Sequence, residues 1–267
     1  MRSPLSSQTA TNPSAQGCRL AAGLEIAGVI PASHLERPAA PIVSCGIAEL
    51  DALTGGLPRG ALTEICGLPS SGRSSLMLAA LAEATRRQEI CALVDTTDSF
   101  DPLSAAGAGV DLDRVLWIRL RSARLRALEQ ALKVTDLLLQ GSGFGLVAID
   151  LADMPAELTR RIPLASWFRF RRAVEHTSTV LLVIEQEPHA KTCASLVLET
   201  TAASTPTLRP TAAQPAPSHA QLLRGIDVRV EVVCARMDSP KKPAGRVEWR
   251  VASCELLVAS CELRVTR

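Results

Sequence analysis

The sequence predicts an α/β fold, a mostly parallel sheet with helices on both faces and a C-terminal β-hairpin. Three observations predict it. Short, wholly apolar runs such as Leu146 to Ile149 and Val180 to Ile184 recur between stretches of helical apolar spacing, as expected for parallel strands buried on both faces. One strand passes straight into a helix through a run of small residues, Gly67 to Ser74. Late in the chain, Val228 to Val233 alternates in a strand-like way, and Arg246 to Val251 returns after the turn Ser239-Pro240-Lys241-Lys242-Pro243.

Taken in order, residues 1–40 are rich in Ser, Thr, Ala and Pro, and Pro4, Pro13, Pro31 and Pro38 leave room only for a short helix around Arg19 to Ala27. This stretch reads as a loose arm, and residues 41–267 as one core domain. Ile47, Leu50 and Leu53 have helical spacing, and Gly55 to Gly60 makes a turn before the apolar strand Ala61 to Cys66. Ser74 to Gln88 is a helix and Ile90 to Val94 a strand ending at Asp95. Val115 to Ile118 is a further strand, Leu125 to Leu139 a helix, and Leu146 to Ile149 a strand closed by Asp150. Ala165 to His176 is a basic helix before the strand Val180 to Ile184. The stretch dominated by Ala, Thr and Pro from Thr200 to Ser218, within about 190–220, reads as a low-complexity loop. The tail repeats itself once, Val251 to Leu256 and Val258 to Leu263. Two copies at a spacing of seven are too few for a coiled coil or solenoid, leaving a tandem duplication that extends a strand or an interaction tail.

Composition narrows the chemistry. A length of 267 residues suits one domain of ~100–200 residues with appendages. There is no tyrosine, which excludes a tyrosyl nucleophile or phenolic acid, and only 3% of residues are aromatic. Lys+Arg of 29 against Asp+Glu of 27 leaves a net charge of +2, so any nucleic-acid surface must be local. The eight cysteines form no C-x-x-C pair and have no histidine cluster nearby; they read as small buried apolar residues in a reducing cytosol. No run approaches the ~18 apolar residues of a membrane helix, so a soluble, cytoplasmic protein with no membrane partner is expected.

The most informative segment is Gly67-Leu68-Pro69-Ser70-Ser71-Gly72-Arg73-Ser74, followed by Ser75. Its spacing is that of a phosphate loop, G-x-x-x-x-G-K-[ST], with Arg73 in place of lysine. Such a loop works because glycines let backbone N–H groups close around phosphate oxygens, the helix N-terminus adds positive partial charge, and a hydroxyl, here Ser74, reaches magnesium. Arg73 keeps the charge, but its planar fork differs in shape from an ammonium. The alternative is a tight strand-to-helix turn in a fold that binds no nucleotide.

The stretch from Ser44 to Arg119 resembles the RecA recombinase family. The residues that carry it are Gly46 to Asp51, Gly55 to Gly60, Glu64 to Gly67 and Ser70 to Gly72; Asp101-Pro102, Gly109 to Asp113, Glu129 to Leu132 and Leu146 to Asp150 add to it. The likeness runs over about 42–186 and implies a RecA-like P-loop NTPase core using ATP and magnesium. On that likeness Gly67 to Ser75 and Asp101 are nucleotide-binding, Ser74 and Asp150 hold magnesium, and Gln186 senses the γ-phosphate. The family's catalytic glutamate falls on Thr97, which is no carboxylate base; Asp98 serves only if the loop shifts by one residue. The ring that stacks on adenine falls on Ser104. Weak ATP binding with slow or absent hydrolysis follows.

Two arginine clusters are candidate DNA surfaces. Arg114, Arg119, Arg121, Arg124 and Arg126 form the first. Arg160, Arg161, Arg169, Arg171 and Arg172 form the second, where the family has its first DNA-binding loop, interleaved with Trp167, Phe168 and Phe170. Rings among arginines suit single-stranded DNA; alternatively the rings face the core of an amphipathic helix. The Ala/Thr/Pro stretch after Gln186 takes the place of the family's second DNA loop. Arg236, Lys241 and Lys242 are placed to reach a neighbouring subunit's nucleotide. Residues 1–40 do not resemble the family's polymerising segment, and nothing after Arg250 resembles its C-terminal domain. A core of this kind with altered site residues resembles the ImuA group, RecA-related accessory proteins of error-prone polymerases in the damage response. Three functions stay open: a binding module in DNA repair with little turnover, an active single-stranded-DNA-dependent ATPase, and a nucleotide-free scaffold for a polymerase.

Overall fold

Every residue of the strand Ala61–Gly67 is buried, because it lies inside a sheet covered on both faces. We analysed a computed structural model of the protein, which describes residues 40–204, 225–236 and 244–252. The arm expected over residues 1–40 (apart from Ala40), the turn with Lys241 and Lys242, most of the seven-residue repeat, and residues 205–224 of the expected loop lie outside the described residues.

In chain order the elements are β1 (Ile42–Val43), α1 (Ala48–Thr54), β2 (Leu57–Pro58), β3 (Ala61–Gly67), α2 (Arg73–Arg86), β4 (Ile90–Asp95), α3 (Pro102–Gly107), β5 (Val115–Arg119), α4 (Arg124–Gly141) and β6 (Phe144–Asp150). There follow α5 (Ala156–Thr159), α6 (Leu164–Val174), β7 (Val180–Glu185), β8 (Ala194–Ser204), β9 (Gly225–Ala235) and β10 (Arg246–Ala252). Single 3-10 turns precede β5 and β8. One eight-stranded sheet has the order β10-β9-β8-β3-β7-β6-β4-β5. The pairs from β8 to β5 are parallel, while β9 and β10 join antiparallel as the expected hairpin.

Alternate residues of the parallel strands serve two apolar layers. On one face Ile65, Leu93, Ala148 and Leu182 pack against Leu50 of α1, Leu76 and Leu81 of α2 and Ala105 of α3. On the other, Val94, Val147, Leu181 and Val183 pack against Leu128 and Leu139 of α4 and Trp167, Phe170 and Val174 of α6. The hairpin is covered on one face only. Val228 and Val230 are buried, whereas Arg229 pairs with Glu248 and Arg250 with Asp227 on the solvent side.

The expected loop gives way over 194–204 to strand β8, which lies between β3 and β9. Its Ala and Thr content reads as loop in isolation. Thr is β-branched, however, and Leu196, Leu198 and Thr200 are fully buried against two partners, so tertiary pairing decides the matter. The segment after Gln186 is therefore a short connection to Ala194, and the Ala/Thr/Pro stretch follows β8 instead. The basic helix runs Leu164–Val174 rather than to His176.

Candidate functional site

Strand register brings the site residues to one edge. Across the sheet, Ile65 of β3 is level with Ile184 of β7, Asp150 of β6, Asp95 of β4 and Arg119 of β5. The loop after β3, Gln186 after β7 and Asp150 thus share the carboxyl ends of the parallel strands, where open α/β sheets bind ligands.

The loop between β3 and α2 is held from outside by β8 and β9. Thr200 Oγ1 lies 2.7 Å from Ser71 Oγ and donates to the Cys66 carbonyl at 3.1 Å. A Cβ on Gly67 would come within 2.6 Å of Thr200 Oγ1, and one on Gly72 (φ +98) within 2.6 Å of Val228. Glycine at both positions is therefore required by close packing as well as by backbone conformation. Ser70 is also left-handed, φ +62. Gly72 gives α2 no side-chain cap and the first turn carries no acid, so its N–H groups and the positive end of a 14-residue helix face the loop. That is an anion site in form.

Arg73 does not extend to solvent. It is 4% exposed and its Nη1 donates to the Ala152 carbonyl at 3.3 Å. Burial pulls its pKa down, opposed by Asp150 and Asp153. Gln186 Nε2 donates to the same carbonyl at 3.1 Å, and the Gln186 carbonyl accepts from Gly67 N at 3.2 Å. Loop, arginine and glutamine thus form one hydrogen-bonded unit. Asp150 accepts from Ala152 N at 2.9 Å and from Ser99 Oγ at 3.4 Å. Burial foremost, with Asp95 and Asp153 nearby, pushes its carboxyl up to about 6, against the pull of Arg73. Ser74 is exposed on the first turn of α2. Among the described residues no three Asp, Glu, His or Cys side chains are grouped to hold a metal ion. Magnesium at Ser74 and Asp150 would take its other ligands from phosphate and water, its usual arrangement.

The candidate catalytic positions are otherwise engaged. Thr97 Oγ1 donates to Ser99 Oγ at 3.3 Å, and its N–H donates to Asp95. Asp98 is clamped by Arg119 at 2.6 and 2.8 Å and by Arg121 at 3.3 Å, and these guanidinium groups, Arg119 foremost, hold its carboxyl below the usual range. Arg119 also stacks over Trp117. Asp95 is a buried structural anchor accepting from Thr97 N, Ser99 N, Phe100 N and Trp117 Nε1. Asp101 caps α3, taking Leu103 N, Ser104 N and Ser104 Oγ, so its carboxylate and the Ser104 hydroxyl satisfy one another.

The second arginine cluster divides. Trp167 and Phe170 are fully buried and only Phe168 is exposed, which is the amphipathic-helix alternative for two of the three rings. Arg160 pairs with Glu187, Arg169 with Asp136, and Arg171 donates to the Thr192 carbonyl. Arg161 and Arg172 are exposed with no side-chain partner among the described residues. Arg236 is folded back onto the Lys191 and Ala194 carbonyls, so it braces the turn before β8.

Sequence reasoning missed two groups. One is Thr200 with Val228, the outer wall of the loop; the signal available was only the β-branched run Val197 to Thr201. The other is a buried acid pair beneath the site. Glu64 of β3 and Glu185 of β7 are both wholly buried, and Glu64 Oε2 and Glu185 Oε1 have no ordinary donor. Glu64 Oε1 accepts from His189 N and Ala190 N at 2.8 and 2.6 Å, and His189 Nδ1 lies 2.7 Å from Glu185 Oε2. Burial raises both carboxyls and lowers the imidazole, which favours a neutral acid at this pair over an ion pair with an imidazolium.

A parallel α/β sheet with a glycine-rich loop opening a helix at its carboxyl edge places the protein in the P-loop class of folds. Residues 31–161 match the family described as RecA N-terminal domain. The chain is 38% identical over 111 residues to Protein RecA of Ectopseudomonas oleovorans, covering 41% of this chain and 30% of that protein. It is 34% identical over 161 residues to Protein RecA of Chlorobaculum tepidum, covering 54% and 45%, and 38% identical over 120 residues to Protein RecA of Acidiphilium cryptum, covering 44% and 34%. The chain thus spans less than half the length of these curated relatives. Over residues 31–161, about half of its length, the chain is RecA-like in sequence. No helix among the described residues is long and apolar enough to cross a membrane.

Proposed function

We propose that the protein is a RecA-like ATP-binding module of DNA repair and damage tolerance, which engages single-stranded DNA or a repair polymerase and hydrolyses ATP slowly or not at all. The observation that carries this reading is the pairing of a loop shaped to take an anion, Gly67 to Ser74 beside Asp150, with a threonine, Thr97, where the family likeness puts the general base. The uncapped N–H groups of α2 and the left-handed Ser70 suit phosphate, and the Asp150 carboxyl at the same sheet edge would supply one ligand to a divalent cation beside Ser74. Bound magnesium would neutralise phosphate charge. Gln186, bonded to the same carbonyl as Arg73, would report occupancy of the loop to the β7–β8 connection.

Thr97 cannot accept the proton of an attacking water at neutral pH, and Asp98 is held by two arginines. Steady-state ATP turnover of Thr97→Glu against the wild type tests this. If only the base is missing, turnover rises by about 10²-fold or more from a near-zero level. Brisk wild-type turnover that Asp98→Ala abolishes would instead establish the active ATPase, with Asp98 as base. A nucleotide-free scaffold is the second reading, favoured by the tether of Arg73 to the Ala152 carbonyl; it requires that Thr97→Glu, too, neither binds nor hydrolyses ATP.

A further inference from the structure

Between α4 and the α5–α6 segment runs a groove of about 360 Å³, away from the phosphate loop. Its floor is aliphatic: Leu125, Leu128, Leu132, Leu158 and Ile162, with Leu125 still 51% exposed. The three leucines of α4 lie at spacings of three and four, so they form one stripe along the helix. Leu128 and Ile162 are buried at the base, Leu132 and Leu158 are half-buried, and Leu125 opens at the rim, so the groove offers an aliphatic edge that fits side chains presented at the same spacing by a second helix.

Charge defines the occupant. Arg161 and Lys133 line the groove with no side-chain partner among the described residues, and Arg169 lines it leaning on Asp136. Glu129 is the one carboxylate among the lining residues and stands on the α4 side, in line with Leu125 and Lys133. On the opposite wall the charged residues, Arg161 and Arg169, are both basic. No aromatic ring lines the groove, and Trp167 and Phe170 behind it are fully buried, so nothing here stacks a base. We propose that this groove docks an acidic amphipathic helix of a partner protein, its leucine-type side chains on the α4 stripe and its carboxylates against Arg161 and Arg169. The surface is independent of nucleotide binding and stands whether or not the loop holds ATP.

The test uses full-length protein and a fluorescein-labelled helical peptide with Leu at i, i+3, i+4 and i+7 and Glu elsewhere, read by fluorescence anisotropy. A twin peptide carrying Lys for Glu is the control. The Glu peptide is expected to bind about tenfold or more tightly than the Lys twin, and Leu125→Asp or Arg161→Glu to weaken it by about tenfold. Both substitutions are at exposed positions, and circular dichroism checks their folding. Arg161→Glu is further expected to narrow or reverse the preference between the twins. No binding by the Glu peptide, equal binding of the twins, or indifference to both substitutions overturns the proposal. So does competition by oligo-dT that Leu125→Asp abolishes, which would assign the groove to nucleic acid. A dimer of the free protein that Leu125→Asp dissociates, seen by sedimentation, would assign it to a second copy of this chain and equally overturn it.

Discussion

Replacing Glu64 by glutamine should make the fold more tolerant of alkaline pH. Glu64 and Glu185 lie wholly buried on neighbouring strands, and each has one carboxyl oxygen without a donor, which a proton shared between them would satisfy. Burial raises Glu64 to about 8 and Glu185 to about 7, against an ordinary value of 4.5. An unfolded chain has released both protons above ~pH 5, so between that point and the folded values the native state binds more protons, and its stability falls as pH rises. Below the unfolded value both states are protonated and nothing is lost; above about 8 the loss is complete. From about pH 6 upward Glu64 spans two units and Glu185 one, at about 1.4 kcal/mol each, which bounds the loss at roughly 4 kcal/mol and gives about 2–4 kcal/mol once relaxation and water entry are allowed for. The side-chain amide introduced by Glu64→Gln would keep one oxygen on His189 N and Ala190 N and turn an N–H towards Glu185, so the proton is no longer needed. Urea unfolding followed by the fluorescence of Trp117, Trp167 and Trp249 at about pH 6 and about pH 9 measures the difference. The wild type should lose more across this range than Glu64→Gln, by up to about 3 kcal/mol, the share of Glu64, since Glu185 stays buried in both. Equal losses in the two proteins would refute the shared proton.

Two further expectations follow from the site and the core. Arg73→Lys removes the planar fork that bonds the Ala152 carbonyl and supplies a compact charge able to swing to phosphate, so affinity for ATP with magnesium should rise about tenfold by calorimetry; a fall would mean that the guanidinium itself grips the phosphates. Trp167→Ala should cost about 3–5 kcal/mol in urea unfolding because the ring is fully buried, whereas Phe168→Ala, whose ring is 42% exposed, should cost less than about 1 kcal/mol; similar costs would contradict the packing of α6.

Much of this was legible because apolar runs and loop spacing are local signals. The strands at Val180 and Leu146 are wholly apolar, and Gly67 to Ser74 sits where a strand must turn into a helix. Strand β8 was not legible, since Thr200 to Ser204 has the composition of a loop and becomes a strand only by pairing with β3 and β9. The acid pair was hidden for a similar reason. Glu64 and Glu185 are far apart in the chain, and only the parallel register of β3 with β7 brings them together. The arginines misled by number: counted along the chain they form a cluster, but Arg160, Arg169 and Arg171 each already hold an internal partner. Asp98 was likewise a free carboxylate on paper, and Arg119, on the strand beside it, removes that freedom.

The measurement that bears most directly on the proposed function is calorimetric titration of the full-length protein with ATP and magnesium, with and without single-stranded DNA, followed by a phosphate-release assay on the same sample. A binding module with little turnover predicts a saturable heat that is lost in Gly72→Val, whose side chain would collide with Val228, together with phosphate release indistinguishable from the protein-free blank. No heat under either condition, or rapid phosphate release stimulated by DNA, would contradict it.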